Sequence, residues 1–469
     1  FPYTTLFRSG VFSTGKHFPG HGDTATDSHY ALPLVNFSKS RIENTELYPY
    51  KRMFDEGLVS VMVGHLNIPS LEPKENTPTT ASYNVVTHIL QDQLGFDGLI
   101  FTDALNMKAA SKFLAPGDLD LEAFLAGNDI LLFPENVPLA IQKITAAFNE
   151  NRITNDRLER SVKKILKYKF RSGLHQLKPI DLENLNKDLI TTSKDALNYQ
   201  LYEHAITVVK NKDNILPIKN LNQKIAYVKL GDDVNSTFVN TLKKYTEITE
   251  IQSDNIDSLN VLLKPFSTVI VGFHKSDRAW KKHDFSETEL VWLQEIAKNN
   301  SVILDAFTKP YSLSGITNFD AIEAVVMSYQ NADIAQEVSA ELIFGAIESQ
   351  GKLPVSINSE FPVNHGIEFE KLNRLGFTAP ENVGMSHEIL TQIDKIADKA
   401  ISQKMTPGMQ VLVARRGKVI YQKSFGYKTY DNLEKINNSK KRNIQRSLIL
   451  ATLAMKKLTS MVEKRKSKV

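Results

Sequence analysis

Lys16 to His29 reads KHFPGHGDTATDSH and sets Lys16, His17, His21, Asp23, Asp27 and His29 around Pro19, Gly20 and Gly22. Glycine and proline break regular structure, so this segment is expected to be a shaped loop and not one face of a helix. Loops this rich in titratable groups usually serve chemistry. Farther along, GLIFTDALNM reads as a short apolar strand ending in Asp103. A carboxylate at a strand end can act as a nucleophile and a histidine loop can move protons. Together they make the two halves of a hydrolytic site.

Each residue has a plainer reading. Asp103 alone fits the N-cap of a helix over Ala104–Ser111. Its position after Leu99, Ile100 and Phe101 shifts the balance, because the carboxyl ends of strands carry the active site of a βα barrel. A carboxylate there can attack an anomeric carbon and form a glycosyl ester. Asp27 and His29 are two residues apart, and in an extended loop both point the same way. Asp27 could hold one imidazole nitrogen and leave the other for substrate, since an unperturbed imidazole exchanges protons near neutral pH. For an isolated D-x-H, however, a surface Asx-turn is the commoner outcome.

His17 and His21 have the i,i+4 spacing of a metal pair, but Pro19 and Gly20 forbid the helix that makes such spacing useful. No metal is therefore expected at this pair. Lys16 and His17 read better as donors to sugar hydroxyls. His65 is read as a third substrate-binding residue, with Glu72 near it, although a strand-end histidine is as often structural. Gly10–Lys16 fits G-x-x-x-x-G-K, but His17 follows where a phosphate loop needs Ser or Thr. Ser13–Lys16 fits S-x-x-K but lies on a strand and not at a helix start.

The elements that must hold these residues alternate along 11–175. Candidate strands are Gly10–Lys16, Val59–His65, Gly98–Thr102 and Asp129–Phe133. They are short apolar runs of the kind buried on both faces. Amphipathic stretches lie between them at Arg41–Glu56, Val85–Leu94, Leu119–Ala126 and Leu139–Asn149, and Arg157–Arg171 closes the series. This predicts four βα units of a parallel sheet. A closed barrel of this type needs about eight, and four would leave two open edges.

Residues 176–196 are polar and read as a linker. An open α/β block follows over 197–367, with strands at Ile225–Val228, Thr268–Gly272, Val302–Ala306, Ala324–Ser328 and Leu353–Ile357 and helices at Glu287–Ala297 and Ala335–Ile347. From Gly384 a third pattern starts. Met385–Gln403 is an amphipathic helix, and Gln410–Ala414 with Val419–Phe425 forms a hairpin across Arg415-Arg416-Gly417-Lys418. Residues 431–469 read as a disrupted basic tail.

Composition narrows the classes. With no cysteine, disulfides, thiolate metal sites and cysteine nucleophiles are excluded. The net charge is +4, yet Ser439–Val469 alone holds ten Lys/Arg and one Glu, so the rest is slightly acidic and no nucleic-acid partner is expected. No apolar run reaches the roughly 18 residues of a membrane span. FPYTTLFRSG has no basic start before an apolar core, so it is not expected to be a signal peptide, and the natural N-terminus is expected to lie upstream.

KHFPGHGDTATDSH, VMVGHLNIPSLEP, GFDGLIFTDALNMKAA and AGNDILLFPENV occur in that order, and with them the chain resembles glycoside hydrolase family 3, in particular its β-N-acetylglucosaminidase branch. The resemblance is dense over residues 11–175. It implies the second half of a TIM-type (β/α)8 barrel, followed by the α/β/α sandwich domain of that family, which here ends in GKLPVSI. It also implies a retaining two-step reaction without metal or cofactor, with Asp103 as nucleophile, His29 as acid/base, Asp27 as its orienting partner, and Lys16 and His17 on the sugar. The implied substrate is a GlcNAc-containing glycan such as a peptidoglycan fragment. The alternatives are phosphorolysis, another family 3 exo-glycosidase such as a β-glucosidase, or a sugar-binding fragment without turnover. Residues 374–430, with TPGMQVLVARRGKVIYQKSFGYKTYD, resemble the start of a serine β-lactamase-like domain. No Ser-x-x-Lys follows Tyr430, so no lactamase activity is expected. Relatives fused to such a domain favour a periplasmic or exported location.

Overall fold

The computed structural model describes residues 11–189, 191–278 and 281–436. The expected start of the first strand at Gly10 and the basic tail from residue 437 onward lie outside these. The chain divides into two compact units, with the boundary between Ile180 and Asp181.

The first unit is built on three parallel strands, β1 (Thr14–Phe18), β2 (Ser60–Val63) and β3 (Leu99–Thr102), in that order. Val61, Val63, Ile100 and Phe18 are fully buried, as short unalternating apolar runs require of a sheet covered on both faces. The expected fourth strand, Asp129–Phe133, is not formed as such. A single parallel bridge joins Ile130 to Phe101, with Thr102 N–H donating to Ile130 C=O at 3.0 Å. Pro134 and the left-handed Phe133 end the extended run after a few residues. The four strands expected here are therefore found as three strands and one bridge.

Side-chain caps fix where the helices begin. Asn136 accepts from Leu139 N–H ahead of Val137–Asn149, and Thr154 accepts from Arg157 N–H ahead of Asn155–Arg171. The single helix expected over Arg41–Glu56 is two, Lys39–Asn44 and Tyr48–Asp55, because Pro49 can start a helix but not continue one. Asn84–Gln93 is wound as a π-helix. The helix expected from Ala104 shrinks to Lys108–Ser111, with Met107 at its N-cap, so Asp103 does not cap it.

The second unit holds a six-stranded sheet. Its strands are β4 (Thr207–Asn211), β5 (Ile225–Gly231), β6 (Ile248–Glu250), β7 (Thr268–His274), β8 (Ser301–Phe307) and β9 (Ile322–Met327), in the order β4-β9-β8-β7-β5-β6. All pairs are parallel except β4 with β9. Two apolar cores lie on its faces, one with helix Glu287–Asn299 and one with Asp333–Ile343. The strand expected at Leu353–Ile357 is absent. Leu353 and Ile357 are buried, but their N–H groups turn to the local carbonyls of His365 and Phe361, and Pro354 between them cannot donate. The stretch expected as a linker carries helices Leu185–Leu189 and Thr192–Ala205.

Beyond the sheet, β10 (Gly376–Phe377) pairs with β12 (Lys418–Gly426), which forms a hairpin with β11 (Gly408–Arg415). Arg416 and Gly417 both have positive φ, as a two-residue hairpin turn demands. The amphipathic helix expected over Met385–Gln403 is found as His387–Leu390 and Gln392–Ser402. Among the described residues no helix is long and apolar enough to cross a membrane.

Candidate active site

The carboxyl ends of β1, β2 and β3 bring the site residues together. Pairing of β1 with β2 loses its register between Gly15 and Phe18, where Lys16 and His17 lie. Gly64, just past β2, leaves room for this: a Cβ there would sit 3.0 Å from His17 Cβ. His17 Nε2 approaches Asp103 Oδ2 to 3.6 Å. Asp103 is 13% exposed at its side chain and His17 28%, so the carboxylate is sheltered but reachable. Lys16 is exposed beside them.

Backbone fixes Asp103. Its N–H donates to Val63 C=O at 2.9 Å, and Ala104 N–H donates to its Oδ1 at 2.8 Å. Burial pushes the His17 pKa down, against the Asp103 charge that pulls it up; the charges of Lys16, His21 and His29 add to the lowering. The balance favours the neutral imidazole, which toward the carboxylate can only be a donor through Nε2–H.

The loop after β1 is shaped as its glycines and prolines require. Gly20 has φ +148°, and a side chain there would collide with Glu46. Arg41 pins the loop through Asp23 at 3.0 Å and Glu46 at 3.1 Å, with its guanidinium 3.7 Å above the Phe37 ring. Sequence reasoning missed Arg41, because its partners are 18 residues before it and five after it. His21 bonds Thr24 Oγ1 at 2.8 Å and Ser28 Oγ at 3.2 Å, and its ring stands edge-on to His17. Both its nitrogens are committed within the loop, and among the described residues no three metal-ligand groups converge.

Asp27 and His29 do pair. His29 Nδ1 lies 2.7 Å from Asp27 Oδ1, and the same oxygen accepts the His29 N–H at 2.9 Å. The loop is tied to the Asp103 segment: Ala109 N–H donates to Ser28 C=O at 3.3 Å. The two motifs therefore meet, with His29 one residue from that tie and Asp103 six residues before it. The His29 charge also reaches His17.

His65 departs from expectation. It is fully buried, with Nδ1 2.7 Å from Thr80 Oγ1 and Nε2 3.0 Å from Ala104 C=O. Both nitrogens are used inside the protein, so a direct substrate-binding role is replaced by a structural one. Glu72 is likewise inward, accepting from Ser82, Asn84 and the Lys74 N–H, which folds the loop after β2. At the opposite end of β3, Asp129 accepts from Ile100 N–H, Ser161 and Lys164, a buried anchor that sequence spacing did not reveal.

Residues 3–168 match the family model described as glycosyl hydrolase family 3 N terminal domain. The first unit belongs to glycosyl hydrolase family 3. The family 3 assignment is joined by likenesses to named proteins. The chain is 27% identical over 406 residues to Beta-hexosaminidase A of Pseudoalteromonas piscicida, covering 75% of this chain and 66% of that protein. It is 40% identical over 106 residues to a Beta-hexosaminidase of Chromobacterium violaceum, covering 23% of this chain and 29% of that one. It superposes on a glycoside hydrolase family 3 beta-N-acetylglucosaminidase from Paenibacillus with TM-score 0.63 and 27% identity, covering 75% of this chain and 68% of that one. The chain thus spans just under two thirds of the first relative's length and under a third of the second's.

Proposed function

We propose that this chain carries the catalytic half-site of a retaining β-N-acetylglucosaminidase. The observation that carries the reading is the backbone tie between the Asp27–His29 loop, at Ser28, and the segment that follows the sheltered Asp103, at Ala109. In the first step Asp103 attacks the anomeric carbon while His29 protonates the departing oxygen. In the second, His29 takes a proton from water, which attacks the glycosyl ester and frees Asp103. Asp27 keeps the His29 Nδ1 protonated, so that Nε2 is the nitrogen that gives and takes the proton. Lys16 and His17 bind sugar hydroxyls. The relatives named for hexosaminidase activity support a terminal GlcNAc, and peptidoglycan fragments fit such a substrate. By the same reading the first unit is the second half of a (β/α)8 barrel, and residues 374–430 are the opening of a β-lactamase-like domain. An exported or periplasmic setting would suit that combination.

The test is Asp103→Asn in the full-length protein, assayed on aryl β-GlcNAc and aryl β-glucoside and probed by mass spectrometry for a trapped glycosyl ester. The wild type is expected to cleave the GlcNAc substrate and to carry the ester on Asp103, and the variant to do neither. A variant that still turns over would remove Asp103 as nucleophile.

A further inference from the structure

Taking Asp103 as the nucleophile, we infer that His65 is a positioning residue for it, acting through the backbone of Ala104 as a neutral imidazole with its proton on Nε2. The hydrogen-bond inventory assigns the tautomer. A carbonyl can only accept, so the 3.0 Å contact with Ala104 C=O requires a proton on His65 Nε2. The other nitrogen faces Thr80 Oγ1, whose single proton can go to His65 Nδ1, to the Gly64 carbonyl 2.7 Å away or to the Val63 carbonyl at 3.3 Å. Gly64 C=O has a second donor, Thr79 Oγ1 at 2.6 Å, which in turn accepts Leu66 N–H. With Thr79 serving Gly64 and the Asp103 N–H serving Val63, Thr80 is released to donate to His65, and these buried groups are satisfied without a charge. His65, Thr79 and Thr80 are all fully buried, where an uncompensated imidazolium would be costly.

This arrangement grips Asp103 from both sides with one strand end. Val63 C=O, the last residue of β2, holds the Asp103 N–H. His65, two residues on, holds Ala104 C=O. The Ala104 N–H then donates to Asp103 Oδ1, leaving Oδ2 toward His17. Ala104, whose N–H orients the carboxylate, is thus itself held on the other side of its Cα, through its C=O, by His65. A neutral His65 also leaves the Asp103 charge undamped, whereas an imidazolium beside it would weaken the nucleophile.

Two measurements on the full-length protein test this. The first is the rate of covalent labelling by a fluorinated GlcNAc inactivator in His65→Gln and His65→Leu, with Asp103→Asn as control. Glutamine can place its amide N–H near the imidazole Nε2 position and is expected to label within about tenfold of wild type, whereas leucine is expected to label about 100-fold more slowly with little change in inactivator affinity. A folded His65→Leu that labels at the wild-type rate overturns the proposal. Labelling that persists in Asp103→Asn would instead overturn the nucleophile assignment on which it rests. The second needs no variant to be active. Nitrogen-15 NMR of histidine-labelled protein should show one resonance pair, missing in His65→Gln, with an Nε2–H tautomer unchanged from pH 6 to 8. An Nδ1–H or doubly protonated His65 would overturn the proposal even where the leucine variant fails to fold.

Discussion

Asp27 Oδ1 receives two donors from one residue: the His29 ring at 2.7 Å and the His29 backbone N–H at 2.9 Å. These bonds hold the Asp27 carboxyl below the ordinary carboxylate range, the backbone one contributing most. Asp27 therefore stays ionised at neutral pH and keeps the proton on His29 Nδ1. Asp27→Ala should lower kcat on aryl β-GlcNAc by about 100-fold or more, with KM little changed, because proton transfer is lost and binding is not. Steady-state kinetics decide it. An unchanged kcat would reduce the pair to a surface Asx-turn.

Gly64 gives a second prediction. A Cβ at this position presses on His17 Cβ at 3.0 Å, and His17 stands 3.6 Å from Asp103. Gly64→Ala should move the imidazole by a fraction of an ångström and cut kcat/KM by about tenfold, since small misplacements at a reacting centre are costly. The melting temperature should stay within a few degrees, because the clash is with the Cβ of a partly exposed side chain. A variant with full activity would show that His17 geometry does not matter to turnover.

What the sequence disclosed follows from how local each signal is. The β1 loop and the Asp103 strand end were legible because glycine, proline and short apolar runs act within a few residues. The hairpin was legible for the same reason, since Arg416 and Gly417 sit between two alternating segments. The tie between Ser28 and Ala109 was not, because it is a backbone bond between residues of ordinary type. Nor was the inward turn of His65, whose fate depends on Thr80 in a loop 15 residues away. Edge strands were lost or invented on similar grounds. β4 follows directly on a helix and was overlooked, whereas Leu353–Ile357 has an apolar pattern whose hydrogen bonds close locally.

In the second unit, Lys418 Nζ lies 2.7 Å from Glu203 and 3.1 Å from Glu341, whose side chain is fully buried and whose other oxygen accepts Phe377 N–H. Burial pushes the Glu341 carboxyl up to about 8 even beside this lysine. Removing the cation in Lys418→Met should destabilise the unit by about 2–4 kcal/mol when measured above about pH 8, where Glu341 is ionised, and by less at lower pH, where Glu341 takes a proton. Adding Glu341→Gln to that variant should recover most of the loss, because no buried charge then remains. Urea unfolding of the single and double variants measures both, and a neutral Lys418→Met would show that the triad does not hold the hairpin.

Two buried groups in the same sheet should tilt stability with pH in opposite directions. Asp305, enclosed and held by Ser328 and Ser339, is pushed up to about 7 by burial. Its folded state binds the proton more tightly than the unfolded chain, so its contribution is full below about pH 4 and is lost as the pH rises toward 7. His274, between Tyr227 and Asn331, is pushed down to about 4 by burial. There the unfolded chain binds the proton more tightly, so stability is lost as the pH falls from about 6.5 toward 4. Each slope is at most about 1.4 kcal/mol per pH unit, and between pH 4.5 and 6.5 they oppose one another. Relative to wild type, Asp305→Asn should gain stability with rising pH across that window, and His274→Gln should lose it. Denaturant midpoints taken at half-unit pH steps read the two differences directly. Because the difference from wild type cancels every other titrating group, parallel curves for a variant and wild type would show that its residue has the same proton affinity folded and unfolded.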